Sequence, residues 1–263
     1  MKKSVLFTLF LFSSFCSPVE RHVFEDGTWV DLTHSYSEET LYWPTSDTWE
    51  MDTVFVGETD GGYYYEAFKF STAEHGGTHL DAPIHFSEGK QTVDELTINQ
   101  LSGYAVVIDV SEQVKASADY QIIPKDIQSW EIEHGSIPEG SILLFHTGLG
   151  ALWPDAEQYL GTTLRGTEGV ANLSFPGIHP DAAQWLVDNR SIKAVGLDTP
   201  SLDYGKSTEY MTHRILFEKN IPGFENVANL DLLPEKGAYI IALPMKIKDG
   251  SGAPLRIIAN IPE

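Results

Sequence analysis

Two nearly unbroken apolar runs, residues 104–110 (YAVVIDV) and 141–147 (SILLFHT), constrain this chain more than any other feature. A strand with one wet face alternates apolar and polar residues, whereas a strand covered on both faces is apolar throughout. Between the runs, Pro124–His134 reads as a helix with proline in its first turn. Strand, helix and strand in that order call for a sheet with helices stacked on it. The same order returns with a helix at 180–190, a strand at 192–197 and a helix at 207–220. Upstream, residues 28–35 and the alternating aromatic stretch 63–72 read as strands, and residues 237–248 and 255–260 close the chain as strands. No repeat, low-complexity tract or Gly/Ser linker divides it. The expected fold is α/β, a single domain with a mixed sheet, occupying residues 17–263.

Charge narrows the choice of partner. The chain carries 17 Lys+Arg against 38 Asp+Glu, a net −21 at pH 7. Phosphate backbones and anionic lipid faces repel such a surface, so no nucleic-acid partner is expected. One cysteine rules out an intramolecular disulfide and cysteine-rich zinc modules. Residues 1–16 are set apart from the fold. Lys2 and Lys3 precede a short apolar run at 5–12, followed by small polar residues around Cys16. The run is too short to span a bilayer, which needs about 20 residues. This is the build of a secretory signal peptide, and it predicts an exported protein, periplasmic or secreted. Cys16 also stands where a bacterial lipoprotein is lipidated, but Phe15 before it departs from the small residue usual there. Plain cleavage near Cys16 and Ser17 is the primary reading.

Chemistry concentrates in residues 74–86, EHGGTHLDAPIHF. Of nine histidines in the chain, three fall here, at His75, His79 and His85, with Asp81 among them. All four have odd numbers, so an extended backbone projects them to one side. Fully extended, the ten residue steps from His75 to His85 would span about 33 Å, too long for one metal site. Gly76, Gly77 and Pro83 are the places for it to bend. Imidazole nitrogens with a carboxylate suit zinc, manganese or iron(II), and two histidines plus one carboxylate leave coordination positions open for water and substrate. The alternative is a hydrogen-bonded histidine cluster without metal.

HGGTHLDAPIH resembles the signature of the metal-dependent cyclase-type hydrolases, a family that includes bacterial kynurenine formamidase and isatin hydrolase. Similarity continues in order along the chain: 29–35 (WVDLTHS), 41–44 (LYWP), 142–148 (ILLFHTG), 195–203 (VGLDTPSLD), His213 with Glu225 twelve residues on, and 243–245 (LPM). The resemblance implies a swivelling β/β/α arrangement of the mixed sheet. It implies that His75, His79 and Asp81 bind a first divalent metal, zinc or manganese. His213 and Glu225, sharing Asp81, match the pair that binds a second. On local pattern alone, those two residues are a helix histidine and a solvated acid. The resemblance makes His85 the general acid/base. The implied activity is hydrolysis of a small aromatic amide by metal-activated water, the substrate being an aryl formamide such as N-formylkynurenine or a cyclic amide such as isatin. Rival readings are a lactonase or dehydratase/cyclase on the same metal site, and a non-catalytic exported binding protein, against which an intact His85 argues. An exported enzyme also sits awkwardly with cytosolic tryptophan catabolism.

Trp43 and Phe86 adjoin the matched motifs and are candidate substrate-binding residues, with Tyr42 and Trp153 as further members of an aromatic wall. Asp198 and Ser201 fit either the pocket or a turn at a strand end. Relatives of this type form dimers or tetramers in which N-terminal segments complete a neighbour's pocket. A homodimer or homotetramer is therefore expected, with Trp43 contributing across the interface.

Overall fold

The computed structural model describes residues 27–262; residues 1–16, read above as an export signal, lie with Cys16 outside the described residues. In chain order the strands are β1 (Thr28–Asp31), β2 (Glu50–Glu58), β3 (Tyr64–Ser71), β4 (His79–Asp81), β5 (Ser102–Asp109), β6 (Gln121–Ile122), β7 (Ile142–His146), β8 (Gly177–Ile178), β9 (Ala194–Leu197), β10 (Gly223–Glu225), β11 (Lys236–Pro244) and β12 (Gly252–Ile261). The helices are α1 (Ser111–Ala116), α2 (Pro124–His134), α3 (Ala156–Tyr159), α4 (Gly166–Ala171), α5 (Pro180–Asn189) and α6 (Met211–Phe217).

The main sheet closes on itself. Its order is β1-β12-β11-β5-β7-β9-β10-β4, and β4 also pairs with β12, so the strands from β12 to β4 form a ring with β1 attached outside. β5, β7, β9 and β10 are parallel, and the remaining pairings are antiparallel. The two apolar runs are β5 and β7, adjacent parallel strands inside the sheet. Strand alternation sorts their side chains into two cores. Ala105, Val107, Ile142, Leu144, Ala194, Phe224, Leu80, Ile240 and Ile257 point into the ring. Val106, Ile108, Leu143, Phe145, Val195 and Leu197 point outward, under Ile127 and Trp130 of α2, Ala182 and Leu186 of α5, and Leu216 and Phe217 of α6. Both faces are covered, which is why both runs are apolar throughout.

Helix α2 spans the residues expected. The third helix is shorter than residues 207–220, beginning only at Met211. Tyr210 before it takes a left-handed φ of 48°, and the Asp203 carboxylate accepts the Thr212 and His213 amide hydrogens. An acceptor at that point satisfies amides that otherwise lack a partner and starts the helix there. The aromatic stretch 63–72 is β3, but its partner β2 was not expected. Together they form an isolated two-stranded ribbon with Met51, Val54, Val56, Tyr64, Phe68 and Phe70 exposed.

The seam of the ring rests on Leu80, fully buried and in register with Phe224 of β10 and Ala253 of β12. Leu80→Ala should lower unfolding stability by about 2–5 kcal/mol, the cost of a buried leucine plus its cavity. A urea melt will show a lower midpoint with an unchanged slope. A loss well under 1 kcal/mol would mean that this seam does not bear on the stability of the ring.

Candidate metal centre

Strand β4 carries ligands on one face and core on the other. Leu80 enters the ring, so His79 and Asp81 point outward. β10 sets Glu225 opposite His79. Opposite Asp81 stand two glycines, Gly223 on β10 and Gly252 on β12. The space at Gly252 is needed, because a Cβ there would lie 2.3 Å from Cε1 of His75. α6 lowers His213 onto the same outer face. The bend foreseen around the glycines is present: Gly77 has φ +57°, and its carbonyl accepts from Asn226 Nδ2 at 2.7 Å and His79 Nδ1 at 3.0 Å.

All five expected ligands meet. His75 Nδ1 lies 2.7 Å from Asp81 Oδ1, and His79 Nε2 lies 3.1 Å from the same oxygen and 3.3 Å from Glu225 Oε2. His213 Nε2 lies 3.1 Å from Glu225 Oε1 and 3.3 Å from Asp81 Oδ2. Two groups result, His75–His79–Asp81 and Asp81–His213–Glu225, with the ligand atoms of each within 4.8 Å of one another. Asp81 belongs to both and offers a different oxygen to each.

The protons show whether this set fits a cation. His79 gives its Nδ1 hydrogen to the Gly77 carbonyl, and His213 gives its own to Asp203 Oδ2 at 2.6 Å. In neutral rings the inner Nε2 atoms then hold lone pairs aimed at two carboxylates. His79 Nε2 is buried with no hydrogen-bond partner of good geometry among the described residues. Lone pairs converging in a buried place need a positive charge among them. The protein without metal finds it in protons. Burial opposes charge on His79, yet its bonds to Asp81 and Glu225 raise it to about 10. Burial likewise opposes charge on His213, and Asp203, Asp81 and Glu225 raise it well above the usual histidine value. Burial disfavours the Asp81 carboxylate, but the facing imidazoles outweigh it and hold the group well below the usual carboxylate range. Three imidazoles and two carboxylates with no thiolate fit a divalent cation.

A cavity of about 310 Å³ opens onto the ligands. Trp43 and Phe86 line it, as do Tyr42 and Ser201. Trp153 does not. Its ring stacks on His34 at 4.3 Å and packs edge-on to Tyr159. Asp198 is a turn residue, accepting from the Thr147, Gly148 and Gly150 amides. His85 stacks on His75, centroids 3.8 Å apart and planes 19° from parallel. Burial lowers its pKa to about 4, not the value near 6.5 expected of a free histidine. Tyr210 and Asp203 were not foreseen. Tyr210 lines the cavity beside Phe86, its ring 5.3 Å away. Asp203 both starts α6 and orients His213; it ends the matched segment 195–203, the only signal that pointed to it.

The Cyclase family model matches residues 30–204. The chain belongs to that family. Isatin hydrolase of Roseibium aggregatum is 33% identical over 223 residues, 81% of each chain. Kynurenine formamidase of Bacillus cereus is 28% identical over 235 residues, 88% of this chain and 96% of the relative. Among solved structures, isatin hydrolase A from Labrenzia aggregata, bound to benzyl benzoate, superposes with TM-score 0.82 at 30% identity over 91% of this chain and 95% of that one. An isatin hydrolase bound to the product analogue thioisatinate gives 0.81 at 27% identity, covering 91% and 94%. These relatives are hydrolases, and the family membership supports an enzyme with a divalent metal.

Because protons occupy Nε2 of His79 and of His213 in the metal-free protein, a cation must displace them. Zinc binding should release protons, and its apparent affinity should rise with pH through the neutral range. Calorimetric titration in buffers of different ionisation enthalpy measures the number released. Asp81→Ala removes an oxygen from both groups and should abolish binding; retention of one equivalent at full affinity would show that Asp81 is not shared.

Proposed function

We propose that the chain is a metal-dependent hydrolase of a small aromatic amide, either an aryl formamide such as N-formylkynurenine or a cyclic amide such as isatin. The observation that carries this reading is the meeting of the two ligand groups with a neutral histidine at the foot of one aromatic-walled cavity. When bound, a divalent cation polarises a carbonyl and lowers the pKa of water to about 7. The ligand donors suit zinc or manganese, and two complete groups favour two ions per chain.

The residues of the chain supply the rest. Trp43, Phe86 and Tyr210 give a flat ring an apolar wall, and their rigid side chains orient it at little entropic cost. Burial keeps His85 neutral near pH 7, so its ring has a free nitrogen to accept a proton from the attacking water. A weakly basic imidazole also gives that proton up readily, here to the departing amide nitrogen.

Two further readings accompany this one. One is export, which the signal-peptide-like build of residues 1–16 supports. A homodimer or homotetramer accounts for the β2–β3 ribbon, since an isolated two-stranded ribbon with exposed apolar residues is marginal in water alone. A monomer by light scattering at micromolar concentration would count against the oligomer.

Turnover of metal-loaded protein on isatin, N-formylkynurenine and a simple aryl lactone tests the reaction; cleavage of the lactone alone would overturn the amide assignment. His85→Ala should keep its metal and slow the chemical step by about a hundredfold or more. If it also loses metal, His85 is a ligand and the proton-transfer role is wrong.

A further inference from the structure

Of the three expected histidine ligands, His75 is held differently. His79 and His213 are enclosed, with 3% side-chain exposure each, and both turn Nε2 toward the carboxylates. His75 is 22% exposed and turns Nδ1 toward Asp81. Burial does less to hold this ring. One face stacks on His85, and Gly252 lies against its Cε1 edge. Neither contact distinguishes a nitrogen from a carbon, and a ring flip would place Cδ2 against Asp81.

A hydrogen-bond chain makes that distinction. His75 Nε2 lies 3.0 Å from Ser251 Oγ, which lies 2.6 Å from Glu74 Oε2. The same Glu74 oxygen accepts the Ser251 amide hydrogen at 3.1 Å. An ionised carboxylate only accepts, so the Ser251 hydroxyl must donate its one hydrogen to Glu74. Toward His75, then, Ser251 can only accept, and Nε2 must carry the ring hydrogen. The lone pair is left on Nδ1, aimed at Asp81. Glu74 and Ser251 are far apart in sequence. They meet because β12, which begins at Gly252, pairs with β4.

We propose that Glu74 and Ser251 are positioning residues that set the tautomer and orientation of His75, making Nδ1 its metal-binding atom while His79 and His213 use Nε2. This rests on the metal reading of the site. Outer partners of this kind are worth about 10–100-fold in metal affinity. The relay therefore governs the His75–His79–Asp81 group and leaves the Asp81–His213–Glu225 group, held by Asp203, untouched.

The test uses the full chain, with zinc as the probe. Competition against a chelator should show Ser251→Ala weakening one zinc equivalent by about 10–100-fold, with binding at the His213 group unchanged. Glu74→Ala should act in the same direction, whereas Glu74→Gln, which keeps an acceptor oxygen, should restore most of the affinity. Nitrogen-15 histidine NMR of the zinc-loaded wild type should show His75 protonated at Nε2 and metallated at Nδ1, the reverse of His79 and His213. That measurement stands even if Ser251→Ala fails to fold. His75 protonated at Nδ1, or Ser251→Ala and Glu74→Ala binding zinc as tightly as wild type, would overturn the relay alone. A wild type that binds no zinc would overturn both the relay and the metal reading.

Discussion

Everything at this site depends on a three-residue strand paired on both edges. β4 meets β10 on one side and β12 on the other, and this double pairing turns an open sheet into a ring. Backbone hydrogen bonds fix the register, and register fixes which side chains share a face. Leu80 goes to the core, His79 and Asp81 go to the cavity, and Glu225 arrives opposite His79 by the same rule. A slip of one residue at β4 would bury the ligands in the ring and expose the leucine. The closure that makes the core is thus the closure that makes the metal centre.

The electrostatics follow from that enclosure. Two carboxylates and three imidazoles, forced together out of water, cannot all keep their ordinary protonation. The outer nitrogen of each ring is tied to a carbonyl, a hydroxyl or a carboxylate, so the freedom left in the cluster concerns the inner nitrogens. His85 stands at the edge of this field without a carboxylate partner of its own among the described residues, and burial leaves it uncharged. Histidines a few ångströms apart thereby differ: His79 and His213 hold positive charge, and His85 does not.

How much of this was legible in the sequence varied with the range of the interaction. α2 was readable to the residue, because proline at its start and glycine after its end are local signals. β5 and β7 were readable because burial on both faces leaves a run. His75, His79 and Asp81 were readable from parity and crowding within one short segment. His213 and Glu225 carry no such pattern; topology alone brings them to Asp81, and only resemblance to a family located them. β2 escaped notice because its exposed residues mix charge with apolar groups and show no alternation. β4 and β10 are too short to show a period, and their polar members look like loop residues. Ser251 was invisible for the same reason as His213, being 177 positions from the Glu74 it meets.

The cavity draws its two sides from different kinds of backbone. Its metal side comes from β4, β10 and α6, where side chains are tied to register and core, with His75 added from the segment leading into β4. Its opposite wall comes from loop positions: Leu41, Tyr42, Trp43 and Ser46 before β2, and Pro200, Ser201 and Tyr210 before α6. Loop side chains can change size without moving a strand. Evolution acting on this scaffold therefore has its freedom on one side only. New substrates are to be sought by varying the loops, while the reaction class stays with the strands.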